Sequence, residues 1–289
     1  MRVVIAIACC LLLITVVAQA ADTGWDEAVV TGPRLGLPSA HLLGERTVSA
    51  GWDFRSASHE GRKLNANQFE LGVGITDRIE VGWDHHRVNM DGRTAGNTFD
   101  VTANGLQLRY GQDLFGAPGA LFFQYRGASG RSVTVGGGTR IPPHATTFTL
   151  GAVRSAPWRG DNEWHVLGAV SRCKVGQQAW SLMGAAGADY KLWSGLSARG
   201  DLGLFKEAGD VSSFEVGVNG GLHYEHKCGL SADLMGTFLP SGTPVAGSPL
   251  GDASVFILDN VLGGVQLAKD IQNDAIGYYT VRVGYTTHF

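Results

Sequence analysis

Beyond its first twenty residues the chain has no run of about 18 consecutive apolar residues, which excludes a helical membrane span in that part of the sequence. It is also short of charge. Charged residues make up 17% of the chain, against about 25% in an ordinary soluble domain. Lys and Arg are neither in excess nor clustered, and the formal net charge is −3, so nucleic acid is excluded as a partner. No stretch after the leader carries a 3.6-residue apolar period. Cysteine is scarce: Cys9 and Cys10 lie in the leader, and Cys173 and Cys228 are the other two.

Glycine, by contrast, is plentiful, at 42 of 289 residues, about twice the usual ~7%. The N-terminus reads MRVVIAIACCLLLITVVAQA: one positive residue, an apolar stretch, then Ala18-Gln19-Ala20 as a small-residue cleavage site. This is the pattern of a secretory signal peptide over 1–20.

The rest of the chain alternates with period two, the signature of strands that put successive side chains on opposite faces. Val48, Ala50, Trp52 and Phe54 oppose Ser49, Gly51, Asp53 and Arg55. Phe69, Leu71, Val73 and Ile75 oppose Glu70, Gly72, Gly74 and Thr76, and after Asp77-Arg78 the series Ile79, Val81, Trp83 opposes Glu80, Gly82, Asp84. The same pattern runs to the end, where Tyr279, Val281, Val283, Tyr285 and Phe289 form one stripe. Tight connections at 77–78, 193–195 and 226–227 alternate with polar, glycine-rich stretches at 56–67, 89–99, 127–145 and 240–253. Short turns on one rim and long loops on the other define a transmembrane antiparallel up-and-down β-barrel of the bacterial outer membrane. Twelve strands are expected, or fourteen if residues 133–140 contribute; residues 254–268 are a further candidate strand. The expected division is a leader (1–20), a periplasmic N-terminal segment (21–45) and the barrel (46–289).

In such a barrel the charged face turns inward, because Arg or Lys facing the lipid mid-plane costs about 2–4 kcal/mol. The predicted lumen-lining residues are Asp53, Arg55, Glu70, Glu80, Asp84, Arg109, Arg126, Asp189, Arg199, Asp201, Glu215, Asp233 and Arg282, with Lys191 on the same face by alternation. Gly72, Gly74 and Gly82 would leave space inside. Tryptophans and tyrosines near strand ends, such as Trp52, Trp83, Trp180 and Trp193, suit the two headgroup belts. Cys173 and Cys228 fall at opposite rims, on the order of 25 Å apart, beyond the ~7 Å a disulfide allows.

Catalytic and metal-binding signatures are thin. Ser58-His59-Glu60 is compact, but neighbouring residues point apart, so it is not a triad. His85-His86 points to opposite faces and reads as a rim pair, and His223 with His226 lacks a third ligand. The expectation is no enzyme, no cofactor and no metal. It is a narrow charged channel or transporter for a small solute that no motif specifies. A plugged barrel, closed by ion pairs or by residues 21–45 folded inside, is the alternative, and a rim-sited hydrolase a second.

The ending VGYTTHF, with Tyr285 and the final Phe289, resembles the C-terminal assembly signal of outer-membrane barrels, which implies the barrel assembly machinery as a partner and membrane lipid as surroundings. The stretch GPRLGLPSAHLLGERTVSAGWDFRS followed by FELGVGITDRIEVGWDHH resembles small YjbH-like and phenol-degradation-transporter-like barrels. That likeness covers about a fifth of the chain. It implies small-molecule transport or a part in surface-polysaccharide export, and it carries over no catalytic residue.

Overall fold

The alternation folds into strands that wrap round and close. The computed structural model describes residues 39–59, 62–91, 99–130, 134–135, 139–140, 144–175, 177–208, 215–239 and 276–289. The predicted signal peptide (1–20) and the candidate strand at 254–268 lie outside these residues. Fourteen strands are described: β1 (Thr47–His59), β2 (Arg62–Thr76), β3 (Ile79–Asp91), β4 (Phe99–Leu114), β5 (Ala117–Gly130), β6 (Thr134–Val135), β7 (Thr139–Arg140), β8 (His144–Pro157), β9 (Glu163–Val175), β10 (Gln177–Trp193), β11 (Leu196–Ala208), β12 (Glu215–Glu225), β13 (Leu230–Leu239) and β14 (Ile276–His288). Twelve form the closed barrel, in the order β1-β14-β13-β12-β11-β10-β9-β8-β5-β4-β3-β2. The 133–140 segment forms a separate two-stranded hairpin, β6–β7, and adds nothing to the wall.

All pairings are antiparallel. The seam is made by β1 and β14 in register from Thr47↔His288 to Ala57↔Tyr278. Closure leaves no edge with unpaired backbone groups, which hydrocarbon could not satisfy. One rim is made of tight turns at 77–78, 115–116, 158–162, 194–195 and 226–229. At 115–116 both residues have positive φ, 53° for Phe115 and 77° for Gly116, the combination that lets a two-residue hairpin follow the strand twist.

On the opposite rim one long loop turns out shorter than predicted. β1 runs to His59 and β2 starts at Arg62, so most of 56–67 is strand. Crossing a bilayer takes about 9–11 tilted residues; β2 has 15. Past the hydrocarbon both faces meet water, so apolar residues stop alternating with polar ones and the sequence there reads as loop. On the same rim β9 ends at Val175 and β10 starts at Gln177, a connection for which no long loop was expected.

The two faces divide by chemistry. Val81 and Leu108 are exposed on the outside, whereas Glu80 and Arg109 are buried inside. Trp52, Phe69, Trp83, Phe148, Trp180, Tyr190, Trp193, Tyr285 and Phe289 are exposed outward. Paired rings such as Tyr125 and Phe148, with centroids 4.9 Å apart, add to the apolar belt. A soluble protein would have buried this surface; here it is built for lipid. Cys228 is a free, exposed thiol on the β12–β13 turn, and Cys173 lies near the loop-rim end of β9, so the two cysteines sit at opposite rims.

Candidate functional site: a charged lumen crossed by an N-terminal strap

The inward face of the barrel carries a chain of ion pairs. On β3 and β4, Glu80 accepts from Arg109 Nη1 at 3.1 and 3.2 Å. On β3 and β5, Arg126 grips Asp84 through two parallel contacts, Nε–Oδ1 at 3.2 Å and Nη2–Oδ2 at 3.1 Å, the fork geometry that suits guanidinium to carboxylate. His86 Nε2 approaches the same carboxylate at 2.7 Å. Across the lumen, Arg199 of β11 reaches Asp233 of β13 at 2.9 Å and Asp189 of β10 at 3.5 Å. His223 holds Asp233 through Nδ1 at 2.8 Å. Arg282 of β14 meets Glu70 of β2 at 2.7 Å, spanning β1 and the seam. Asp53 faces Arg282 across the seam register, and Asp201 is buried on β11. Burying unpaired charge is costly, so this density of charge is tolerable only because partners are within reach.

Eleven of the predicted luminal residues therefore have described side chains on the inward wall: Asp53, Glu80, Asp84, Arg109, Arg126, Arg199, Asp201, Asp233 and Arg282 buried, Glu70 and Asp189 half-buried. The side chains of Arg55 and Glu215 lie outside the described residues. Lys191 departs from the alternation: it is exposed and pairs with Asp161 of the β8–β9 turn at 3.0 Å, because it sits at a register shift between Lys191 and Trp193 at the rim. His86, read from sequence as a rim residue, is fully buried in the network.

The inner wall is not polar all round. Ala120 and Phe122 (β5), Val153 (β8), Leu167 and Ala169 (β9) and Ala185 (β10) form an apolar patch, joined by Ala40 and, at its margin, Leu42. In the strand order β9 lies opposite β1, so the apolar patch looks across at the seam where Asp53 and Arg282 stand.

Ala40 and Leu42 belong to a segment that runs inside the barrel. Residues 39–44 cross the short-turn mouth as a strap without regular secondary structure, at most about 20 Å of chain. Its long-range polar holds come from side chains of the inner wall. Ala40 N–H donates to Ser155 Oγ at 2.8 Å, and Leu43 N–H to Glu80 Oε2 at 2.9 Å. Arg109 Nη2 donates to the carbonyls of Ser39 and His41. His41 Nε2 lies 2.8 Å from Glu163 Oε1. Ser155 is in turn held by His165 Nδ1 at 2.7 Å, directly opposite it in the β8–β9 register. Residues 39–44 of the predicted periplasmic segment are thus within the barrel.

This strap also explains two glycines. A Cβ at Gly74 would collide with the Gly44 carbonyl, and one at Gly72 would sit 2.9 Å from Leu43 Cδ1. The space they leave is occupied by the strap and does not widen the lumen. Ser155 and His165 were invisible in the sequence as site residues, since nothing in an alternating strand distinguishes a serine or histidine that will meet a distant segment. Ser155 lies beside His165, with Asp189 Oδ2 3.8 Å from the far ring nitrogen. Its hydroxyl is fully buried and accepts the Ala40 amide, so here it holds the strap.

Fold and lumen together define a closed, twelve-stranded transmembrane β-barrel with a charged interior. No family model matches the chain, and no curated protein matches it. Among solved structures it is similar to the NanC porin, at 9% identity over 82% of this chain and 98% of that one, with a TM-score of 0.51. It is also similar to the COG4313 outer membrane channel from Pseudomonas putida F1, at 11% identity over 91% of this chain and 100% of that one, with a TM-score of 0.52. At such identities the shared property is the fold, that of an outer-membrane β-barrel.

Proposed function

We propose that this protein is an outer-membrane channel or transporter for a small solute, described here with its periplasmic mouth closed by residues 39–44. The observation that carries the reading is the way the strap is held. Beside the apolar contacts of Ala40 and Leu42, its polar grips come mainly from groups that also pair with one another, Glu80 with Arg109 and Ser155 with His165, so it can leave without stranding these groups. Arg109 and Glu80 remain partners when the strap goes. The exposed aromatic exterior supports residence in lipid, and the two neighbours named above are a porin and a channel. The Tyr285–Phe289 ending supports insertion by the barrel assembly machinery.

A second reading, a plugged barrel serving as a scaffold in surface-polysaccharide export or adhesion, is favoured by the near-complete burial of Asp53, Arg282 and His165. Planar-bilayer recordings of the purified full chain separate the two. Stepwise currents, rare in the intact chain and frequent once the strap is loosened by His41→Ala with Leu43→Ser, support the channel. Silence in both supports the scaffold.

A further inference from the structure

The wall that receives the strap is a shaped site. It presents an acceptor (Ser155 Oγ) for one amide, a guanidinium (Arg109) for two carbonyls two residues apart, and a second acceptor (Glu80) for another amide. Between these polar grips lie the apolar patch around Phe122 and Val153, which takes Ala40, and the clearance at Gly72, which takes Leu43. Strand pairing does not hold residues 40–43; side chains of the wall read their backbone instead. Such a constellation is complementary to any extended backbone of the same length with small or aliphatic side chains.

We propose that the strap occupies a solute site, and that the solute class is short aliphatic peptides, for which Ala40–Leu43 stands in. The proposal rests on the channel reading above and names its solute. A peptide entering from the opposite end competes with the strap for Ser155, Arg109 and Glu80. Its carbonyls take the Arg109 guanidinium, its amides take the two acceptors, and its aliphatic side chains replace Ala40 and Leu43. The strap is tethered, so its effective concentration is on the order of millimolar; a free peptide displaces it only near that concentration, which makes uptake saturable in the millimolar range.

The test is proteoliposome uptake of the blocked peptide N-acetyl-Ala-Leu-Leu-Leu-amide, which supplies carbonyls and amides at the spacing of residues 39–43, against a neutral sugar of similar mass. It uses the full chain, the strap-loosened variant (His41→Ala with Leu43→Ser, both off the wall), and that variant with Arg109→Ala or, separately, Ser155→Ala. Heat-modifiable mobility on gels shows that each barrel has folded. The expected result is saturable peptide uptake in the strap-loosened variant, about tenfold over the sugar, collapsing toward parity when Arg109 or Ser155 is removed while sugar entry is unchanged or higher. Parity in the strap-loosened variant, or a preference that survives both wall substitutions, overturns the inference and leaves the channel standing. Entry of neither solute in any folded variant removes the channel reading and this inference with it.

Discussion

Glu80 and Arg109 face each other across adjacent strands at 3.1 Å, and each also holds the strap, Glu80 through the Leu43 amide and Arg109 through the Ser39 and His41 carbonyls. One pair thus joins wall to strap. Removing one partner of a buried pair leaves the other charge uncompensated, a loss of about 3–5 kcal/mol. Arg109→Ala is expected to lower the temperature at which the barrel loses its folded gel mobility, and to raise open-channel frequency in bilayers. Glu80→Gln, which keeps an acceptor for Leu43, is expected to be milder in both. Equal behaviour of the two variants would contradict this account.

Gly74 gives a test that touches no charge. Any side chain there meets the Gly44 carbonyl, so Gly74→Val is expected to push residues 39–44 out of the mouth while favouring the strand itself, since valine suits a pleated wall. The readout is limited proteolysis from the short-turn side. Cleavage near residue 40 is expected to be fast in Gly74→Val and slow in the parent, with barrel mobility on gels retained.

Leu108 and Arg109 are neighbours on β4 with opposite surroundings, one exposed outward and one buried inward. Exchanging chemistry on the lipid side, Leu108→Arg, is expected to destabilise the barrel by about 2–4 kcal/mol if Leu108 lies near the mid-plane. Guanidinium titration in lipid vesicles measures this. A neutral result would mean that water, not hydrocarbon, surrounds that position.

The described inner wall carries more carboxylates (Asp53, Glu70, Glu80, Asp84, Glu163, Asp189, Asp201, Glu225 and Asp233) than guanidinium groups (Arg109, Arg126, Arg199 and Arg282). Once the strap is loosened, the surplus is expected to make the pore prefer cations. Reversal potentials in a potassium chloride gradient should have the sign of a cation-selective pore. Asp53→Asn with Asp201→Asn should move them several-fold toward zero selectivity. Anion preference in the starting protein would show that groups elsewhere set the field.

The barrel was legible because it repeats. Alternation, tight turns and a stripe of Val81, Val283 and Tyr285 are local signals, and each reinforces the others. The strap was not legible, because its partners are far away in the chain: Ala40 meets Ser155 across 115 positions, and Arg109 meets Ser39 across 70. Nothing local in Leu37-Pro38-Ser39-Ala40 distinguishes a linker from a segment that will be gripped. Gly72 and Gly74 illustrate the limit. The sequence shows that room exists inside the wall, and only the fold shows what fills it. His86 was misplaced for a related reason, since a residue that continues an inward face beyond the expected strand end looks like a loop residue until the strand proves longer.

The seam between β1 and β14 ties positions as far apart as Thr47 and His288, 241 residues along the chain. The cylinder cannot shut until its last strand arrives, whereas residues 39–44 are attached to the strand that is made first. The strap and the seam thus share one strand, so a change at the Thr47 end of β1 acts on both.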